Sequence, residues 1–187
     1  EPSLVAAYSV DGREPALLCF PANPEQVATA LRLCSEANAT VAPWGGGTAM
    51  GIGNQLRQVD VVVGLEQLNL LKEHDQANLT ATVQSGHRLA GLQEVLARHN
   101  QFLPLDPPAP ARATVGEVVA TNLNGSRRSY YGSVRDLVIG MKVVLASGEQ
   151  IKAGGKVVKN VAGYDMCKLF VGSLGTLGII TEVTLRM

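Results

Sequence analysis

Between Pro43 and Asn54 the chain reads PWGGGTAMGIGN, with five glycines, one tryptophan and no charge in twelve residues. A turn needs one or two glycines. Consecutive residues free to take either hand of backbone conformation can point several N–H groups at one centre. Such a nest binds a pyrophosphate without any lysine, and Thr48 adds a hydroxyl donor. A loose strand-to-strand connection would have the same composition, so other stretches must decide between the two readings.

Two nucleotide fingerprints fail here. G-x-G-x-x-G fits no register around residues 45–53, and the Gly155-Lys156 pair lacks the upstream glycine and following Ser or Thr of a P-loop. Three further stretches favour a ligand. PLDPPAPARATVGEVVATNLNGSRRSYYG, residues 104–132, couples a proline-stiffened arm to a capped helix start and a turn at Gly125. KVVKNVAGYDMCKLF covers 156–170. In GSLGTLGIITEVTL, residues 172–185, glycines 172, 175 and 178 recur at every third position before a β-branched strand. That spacing lets a backbone lie flat against a planar ligand.

The elements that position these loops are read from periodicity and caps. Residues 14–20 form a short strand. Asn23 caps a helix with Pro24 at its first position, and Gln26 reaches back in a capping box. Val27, Ala30, Leu31, Cys34 and Asn38 keep helical spacing, apolar except for the last. Residues 39–42 return as a strand feeding the glycine loop, and 59–63 make another. This β-α-β unit with one added strand is a first lobe, residues 1–69.

The second lobe, residues 70–187, opens on a hairpin of 71–74 and 79–83 around the turn 75–78. Leu89, Leu92, Val95, Leu96 and His99 mark an amphipathic helix. The prolines of 102–111 forbid helix and make an extended arm. Thr114 and Glu117 form a capping box that opens a helix through Thr121. Residues 138–145 and 150–153 pair over Ser147-Gly148, and 178–186 is the last strand. The class is α+β: a small β-α-β lobe plus a larger mixed or antiparallel sheet flanked by helices.

Composition narrows the function. Sixteen basic and sixteen acidic residues cancel, and 46% of the chain is hydrophobic. No basic stripe argues for nucleic acid, and no stretch argues for direct membrane insertion. Arg127-Arg128 beside Tyr130-Tyr131 reads as a solvated loop near a ligand mouth. Cys19, Cys34 and Cys167 are far apart with no C-x-x-C pair, which fits small buried hydrophobes in a reducing compartment. His74, His87 and His99 lack helical partners and carry no metal signature. Lys156 and Lys159 read as solvated, with a contact to an anion or a partner subunit as the functional alternative. Asp165 reads as a cap for the turn that follows it. No catalytic residue is assigned.

The ordered set PWGGGT, PLDPP…TVGEVVATNLNG…YYG and GYD…GSLGTLG resembles the FAD-binding domain of the vanillyl-alcohol oxidase, or p-cresol methylhydroxylase (PCMH-type), flavoprotein family, from about Pro15 to Leu185. KNVAGYD…GSLGTLGIITEV is most similar to the branch of the glycolate oxidase E subunit. The resemblance implies FAD extended between two lobes. Pro43, Trp44, Gly45, Gly46, Gly47, Thr48 and Ala49 would wrap the pyrophosphate. Asp106, Pro107, Thr114 and Gly116 would border the flavin and ribityl chain, and Thr121, Asn122 and Gly125 would continue that wall. Leu174, Gly175, Thr176, Leu177, Gly178, Ile179 and Ile180 would line the dinucleotide. Leu174 departs from the GSEGTLG pattern of many relatives. Some relatives tether flavin through a His in the first glycine loop. Trp44 and no His stand here, so the FAD is expected to be non-covalent.

The implied activity is oxidation of a small 2-hydroxy acid such as glycolate by an FAD-dependent oxidoreductase complex. Sister flavoprotein and iron–sulfur subunits would be partners, in the cytoplasm with association to the inner membrane through them. The chain is expected to be a fragment lacking a C-terminal substrate domain and inactive alone. Two alternatives stay open: a non-catalytic flavin-carrying or electron-relay subunit, and a cell-wall precursor reductase, which would need NADPH.

Overall fold

The computed structural model describes residues 2–155 and 164–187. Lys156, Lys159 and the run KNVAG lie outside the described residues. After α1 (Pro2–Ala7) come β1 (Leu17–Cys19), α2 (Pro24–Glu36), β2 (Val41–Trp44) and β3 (Val61–Gly64). β1 and β2 both run parallel to a central β3, with Leu17 and Val41 on either side of Val61. All four β3 residues are buried, as a central parallel strand requires. Two adjacent parallel strands need a long crossover. Here residues 45–60 supply it, without helix or strand, so the glycine loop leaves from the carboxyl end of β2.

The rest of the chain builds β4 (Leu71–Asp75), β5 (Thr80–Gln84), α3 (Leu89–Ala97), α4 (Val115–Thr121), α5 (Arg128–Tyr131) and α6 (Val134–Leu137). It continues through β6 (Val138–Val144), β7 (Gln150–Gly154), α7 (Cys167–Phe170) and β8 (Ile179–Arg186). Their strands form one antiparallel sheet in the order β4-β5-β8-β6-β7. The last strand thus inserts between the two hairpins. Its apolar and β-branched run is buried at Ile179, Ile180, Thr181, Val183, Thr184 and Leu185, because neighbours cover it on both sides.

Beneath this sheet, Leu89, Leu92 and Leu96 of α3 pack with Val115, Val118 and Val119 of α4 against Val83, Val183 and Leu185. Each such side chain contributes roughly 1.5–3 kcal/mol on burial. A second cluster joins the lobes: Val27 and Leu31 of α2 and Val61 and Val63 of β3 meet Val144 of β6 and Ile179 of β8. The two sheets therefore share apolar contacts at the edge where the glycine loop emerges.

Several boundaries differ from the sequence reading, each for a local reason. The strand expected over 14–20 is only Leu17–Cys19, between Pro15 and Pro21, which have no N–H to donate. α2 stops at Glu36, and Asn38 turns left-handed at φ 52 while the Ala39 amide donates to Cys34 O at 2.8 Å. Asparagine tolerates that conformation, which terminates helices. α3 likewise ends at Ala97, so His99 lies past it. Asn23 caps as expected, accepting from the Gln26 amide at 2.9 Å, but Gln26 Oε1 accepts from Ala22 N rather than from the cap's own amide.

Candidate functional site

The glycine loop runs straight onto the start of α4. The Gly46 amide donates to Glu117 Oε2 at 2.9 Å and the Thr48 amide to Glu117 Oε1 at 2.6 Å. Two backbone donors of the loop thus converge on one anion, supplied by the second lobe. The same residue closes the capping box: Glu117 N donates to Thr114 Oγ1 at 3.3 Å, and Thr114 N to Glu117 Oε2 at 3.4 Å. The approach is close enough to require glycine. A Cβ on Gly45 would sit 2.5 Å from Thr114 Oγ1, and one on Gly46 would overlap the Arg112 carbonyl.

The glycine-spaced stretch before β8 is held differently. Gly172 N donates to Val119 O at 3.1 Å and Leu174 N to Ala120 O at 2.7 Å, so the stretch hangs on carbonyls at the end of α4. Gly175, at φ 74, presses on Pro43 Cγ, 2.5 Å from where its Cβ would stand. Gly178, at φ 154, has Val144 O at 2.7 Å from the same position. Contacts within the chain therefore already demand both glycines, a demand that the sequence reading had placed on a flat ligand.

These stretches enclose a cleft of about 200 Å³ between the lobes. Of the residues named from sequence, Pro43, Gly45, Ala49, Gly116, Thr121, Leu174, Gly175, Thr176, Gly178, Ile179 and Ile180 form its walls. Trp44, Gly46 and Thr114 border a second hollow of about 610 Å³, which meets the first at Gly45 and also takes in His87, Arg88 and Arg112. Gly47 lies over the Trp44 ring. Asp106, Pro107 and Gly125 are not cleft walls. The Asp106 carboxylate accepts from Ser126 Oγ at 3.1 Å and Arg127 N at 3.3 Å, and Gly125 packs onto it. Asn122 is the exposed left-handed C-cap of α4, and Leu177 is exposed.

Half of the cleft's lining residues were not named as site residues from sequence, among them Glu117, Ala120, Val10 and Asp11. Glu117 was legible as a capping residue. Its reach to a loop about seventy positions away had no sequence signal. Asp11 has no motif around it.

The titratable groups near the site offer little proton chemistry. Among the described residues, Asp11 and Glu117 are the ionisable cleft walls, and no group of three His, Cys, Asp or Glu could hold a metal. Tyr8, beside the second hollow, donates to Glu66 at 3.0 Å, and burial followed by that carboxylate pushes its phenol above the ordinary range. Cys167 is buried, and desolvation then Asp165 raise its thiol to about 11, so it stays protonated. Asp165 Oδ1 accepts from Cys167 N at 3.1 Å and so caps the turn, as expected. His74 and His99 stack edge to face away from the cleft, His74 bonded to Gln101.

Apolar walls and convergent backbone donors beside them suit a long ligand with a flat apolar end and an anionic middle. With two lobes of this topology, they define a cofactor-holding α+β domain of the PCMH type. The chain belongs to the FAD binding domain family, whose pattern it matches over residues 15–154, and its cofactor is FAD.

It is 39% identical to glycolate oxidase subunit GlcD of Bacillus subtilis over 92% of this chain and 37% of that protein. Identity is 37% to a D-lactate dehydrogenase of Archaeoglobus fulgidus, over 100% of this chain and 41% of that one. A D-2-hydroxyglutarate dehydrogenase of Xanthomonas citri is 35% identical over 92% and 37%. The solved structure of alkyldihydroxyacetonephosphate synthase superposes with a TM-score of 0.79 at 26% identity, covering 93% of this chain and 32% of that one. The chain thus spans well under half the length of these relatives. The sequence reading had named a glycolate oxidase subunit, the E subunit; the glycolate oxidase subunit compared here is GlcD.

Proposed function

We propose that this chain is the FAD-holding part of an oxidoreductase acting on a small 2-hydroxy acid, glycolate or D-lactate in type. The observation that carries the reading is the cleft between the lobes, walled by the loop after β2, by α4 and by the stretch before β8. The three relatives named above each act, by name, on a 2-hydroxy acid. Bound FAD would supply a two-electron acceptor for the hydride on the substrate's α-carbon. The chain's own residues would bind and orient. Backbone donors of the loop would face the pyrophosphate. Pro43, Leu174 and Ile180 would exclude water, and Thr121 would offer its hydroxyl oxygen. The attachment would be non-covalent, because the loop carries Trp44 and no His.

A second reading, a flavin-carrying electron-relay subunit, is favoured by the cleft's own chemistry. Its described walls hold two carboxylates, and the nearest cations, Arg88 and Arg112, line the adjoining hollow and not the cleft itself. Under either reading the substrate groups would come from another domain or a partner. Sister flavoprotein and iron–sulfur subunits are the partners proposed, in the cytoplasm and joined to the inner membrane through them. GlcD is itself described as a subunit.

The test is anaerobic addition of glycolate or D-lactate to the FAD-loaded chain. Rapid flavin bleaching, at about 1 per second or faster, would establish a complete site and sink the relay reading. No bleaching by the chain alone, with bleaching restored in the assembled complex, is the expected outcome. Acid denaturation should leave a colourless pellet, and colour retained on the protein would refute non-covalent attachment.

A further inference from the structure

We infer that Glu117 is the resident anion of the glycine-loop nest and that it competes with the cofactor's pyrophosphate for the amides of Gly46 and Thr48. The inference rests on the reading that this loop takes the pyrophosphate. One backbone N–H serves one strong acceptor, and both donors are already bonded to the Glu117 carboxylate, at 2.9 and 2.6 Å. Phosphate oxygens can accept from these amides only after the carboxylate leaves. A carboxylate that stayed close would set like charge against like in a partly buried place.

Glu117 is well placed to be exchanged. Its backbone is pinned, since its N–H donates to Thr114 Oγ1 and its carbonyl accepts from Thr121 Oγ1 at 2.6 Å. Its side chain is pinned more weakly on its own helix: the bond from Thr114 N measures 3.4 Å, longer than either bond from the loop. The carboxylate is thus held chiefly by the loop it would have to surrender. Without cofactor it ties the loop of the first lobe to α4 of the second. With cofactor the tie is broken, and FAD affinity falls below what the nest alone would give.

The experiment compares the full chain with Glu117→Gln, which keeps the size and removes the charge. FAD, ADP and riboflavin are titrated by fluorescence and calorimetry, and melting is followed without ligand. FAD and ADP carry a pyrophosphate, whereas riboflavin has no phosphate. The expected result is that E117Q binds FAD and ADP about tenfold tighter or better, binds riboflavin as wild type does, and melts lower when ligand-free.

A Glu117 that only supports the fold would give the lower melting temperature with FAD and ADP binding unchanged or weaker, and that outcome overturns the inference while leaving the pyrophosphate reading intact. Failure of both proteins to bind FAD and ADP would instead refute the pyrophosphate reading, and the inference with it. Should E117Q melt too low to titrate, inorganic pyrophosphate is added to the wild-type chain and followed by NMR. The Gly46 and Thr48 amides and the Glu117 side chain should then shift together. A Glu117 resonance that stays in place while the amides shift would overturn the exchange.

Discussion

Two glycine-rich stretches meet at the cleft, and they use glycine for different reasons. In the loop after β2, Gly46 and its neighbour Thr48 present amide donors, and the missing side chains let the loop touch Arg112, Thr114 and Glu117 of the other lobe. In the stretch before β8, Gly175 and Gly178 have positive φ and press on Pro43 and Val144, while the amides of Gly172 and Leu174 are spent on the end of α4. The first stretch has donors that an incoming anion could take over. The second spends the amides of Gly172 and Leu174 on α4 and acts as a buttress. Glycine spacing alone does not separate the two cases; the partners of the amides do.

The largest expected effect comes from Gly46→Asp. Its Cβ would overlap the Arg112 carbonyl, and its charge would stand beside Glu117. Loss of more than about 3 kcal/mol of stability and of measurable FAD binding is expected, by melting and flavin titration. A variant that copurifies with wild-type levels of flavin would remove the loop from the site. Lys72→Ala, on an exposed position, serves as the control.

Gly175→Val and Gly178→Val should each cost on the order of 3 kcal/mol even without cofactor, because left-handed backbone and close contacts both exclude a branched side chain. Wild-type melting of the cofactor-free variants would mean that these glycines serve a ligand and not the buttress.

Thr114→Ala tests the seam between the two stretches. It removes the hydroxyl that accepts from Glu117 N and should cost about 1 kcal/mol. An unchanged melting temperature would show that the cap does not hold α4 in place.

The smallest effect is acidic. Asp60, bonded to Gln58 and to the amide and hydroxyl of Thr40, and Asp136, bonded to Ser133, are held below the ordinary 3.8 by those hydrogen bonds. Their contribution is present above the unfolded value and is lost as pH falls through the lower folded value. Asp136 is exposed and Asp60 only half-buried, so only a shallow fall in melting temperature is expected below about pH 4. Asp60→Asn should flatten part of that fall, and a pH profile identical to wild type would show that its bonds contribute nothing.

Local chemistry was legible wherever the signal is short-ranged. The Asn23 and Thr114–Glu117 caps, the hairpins over 75–78 and 147–148 and the α+β class follow from turn residues and periodicity, which act within a few positions. The loop, α4 and tail residues could be nominated because their composition is unusual. What the sequence by itself determined was therefore which segments turn, cap and pair, and which stretches could be nominated for a cleft. Only the tertiary structure decided that Glu117 reaches back to Gly46 and Thr48, that Gly175 serves Pro43, and that Asp106 turns away to hold Ser126 and Arg127. Those contacts join residues far apart in the chain. They arise when the shared cluster of α2, β3, β6 and β8 brings the lobes together, and no local pattern encodes the distance between them.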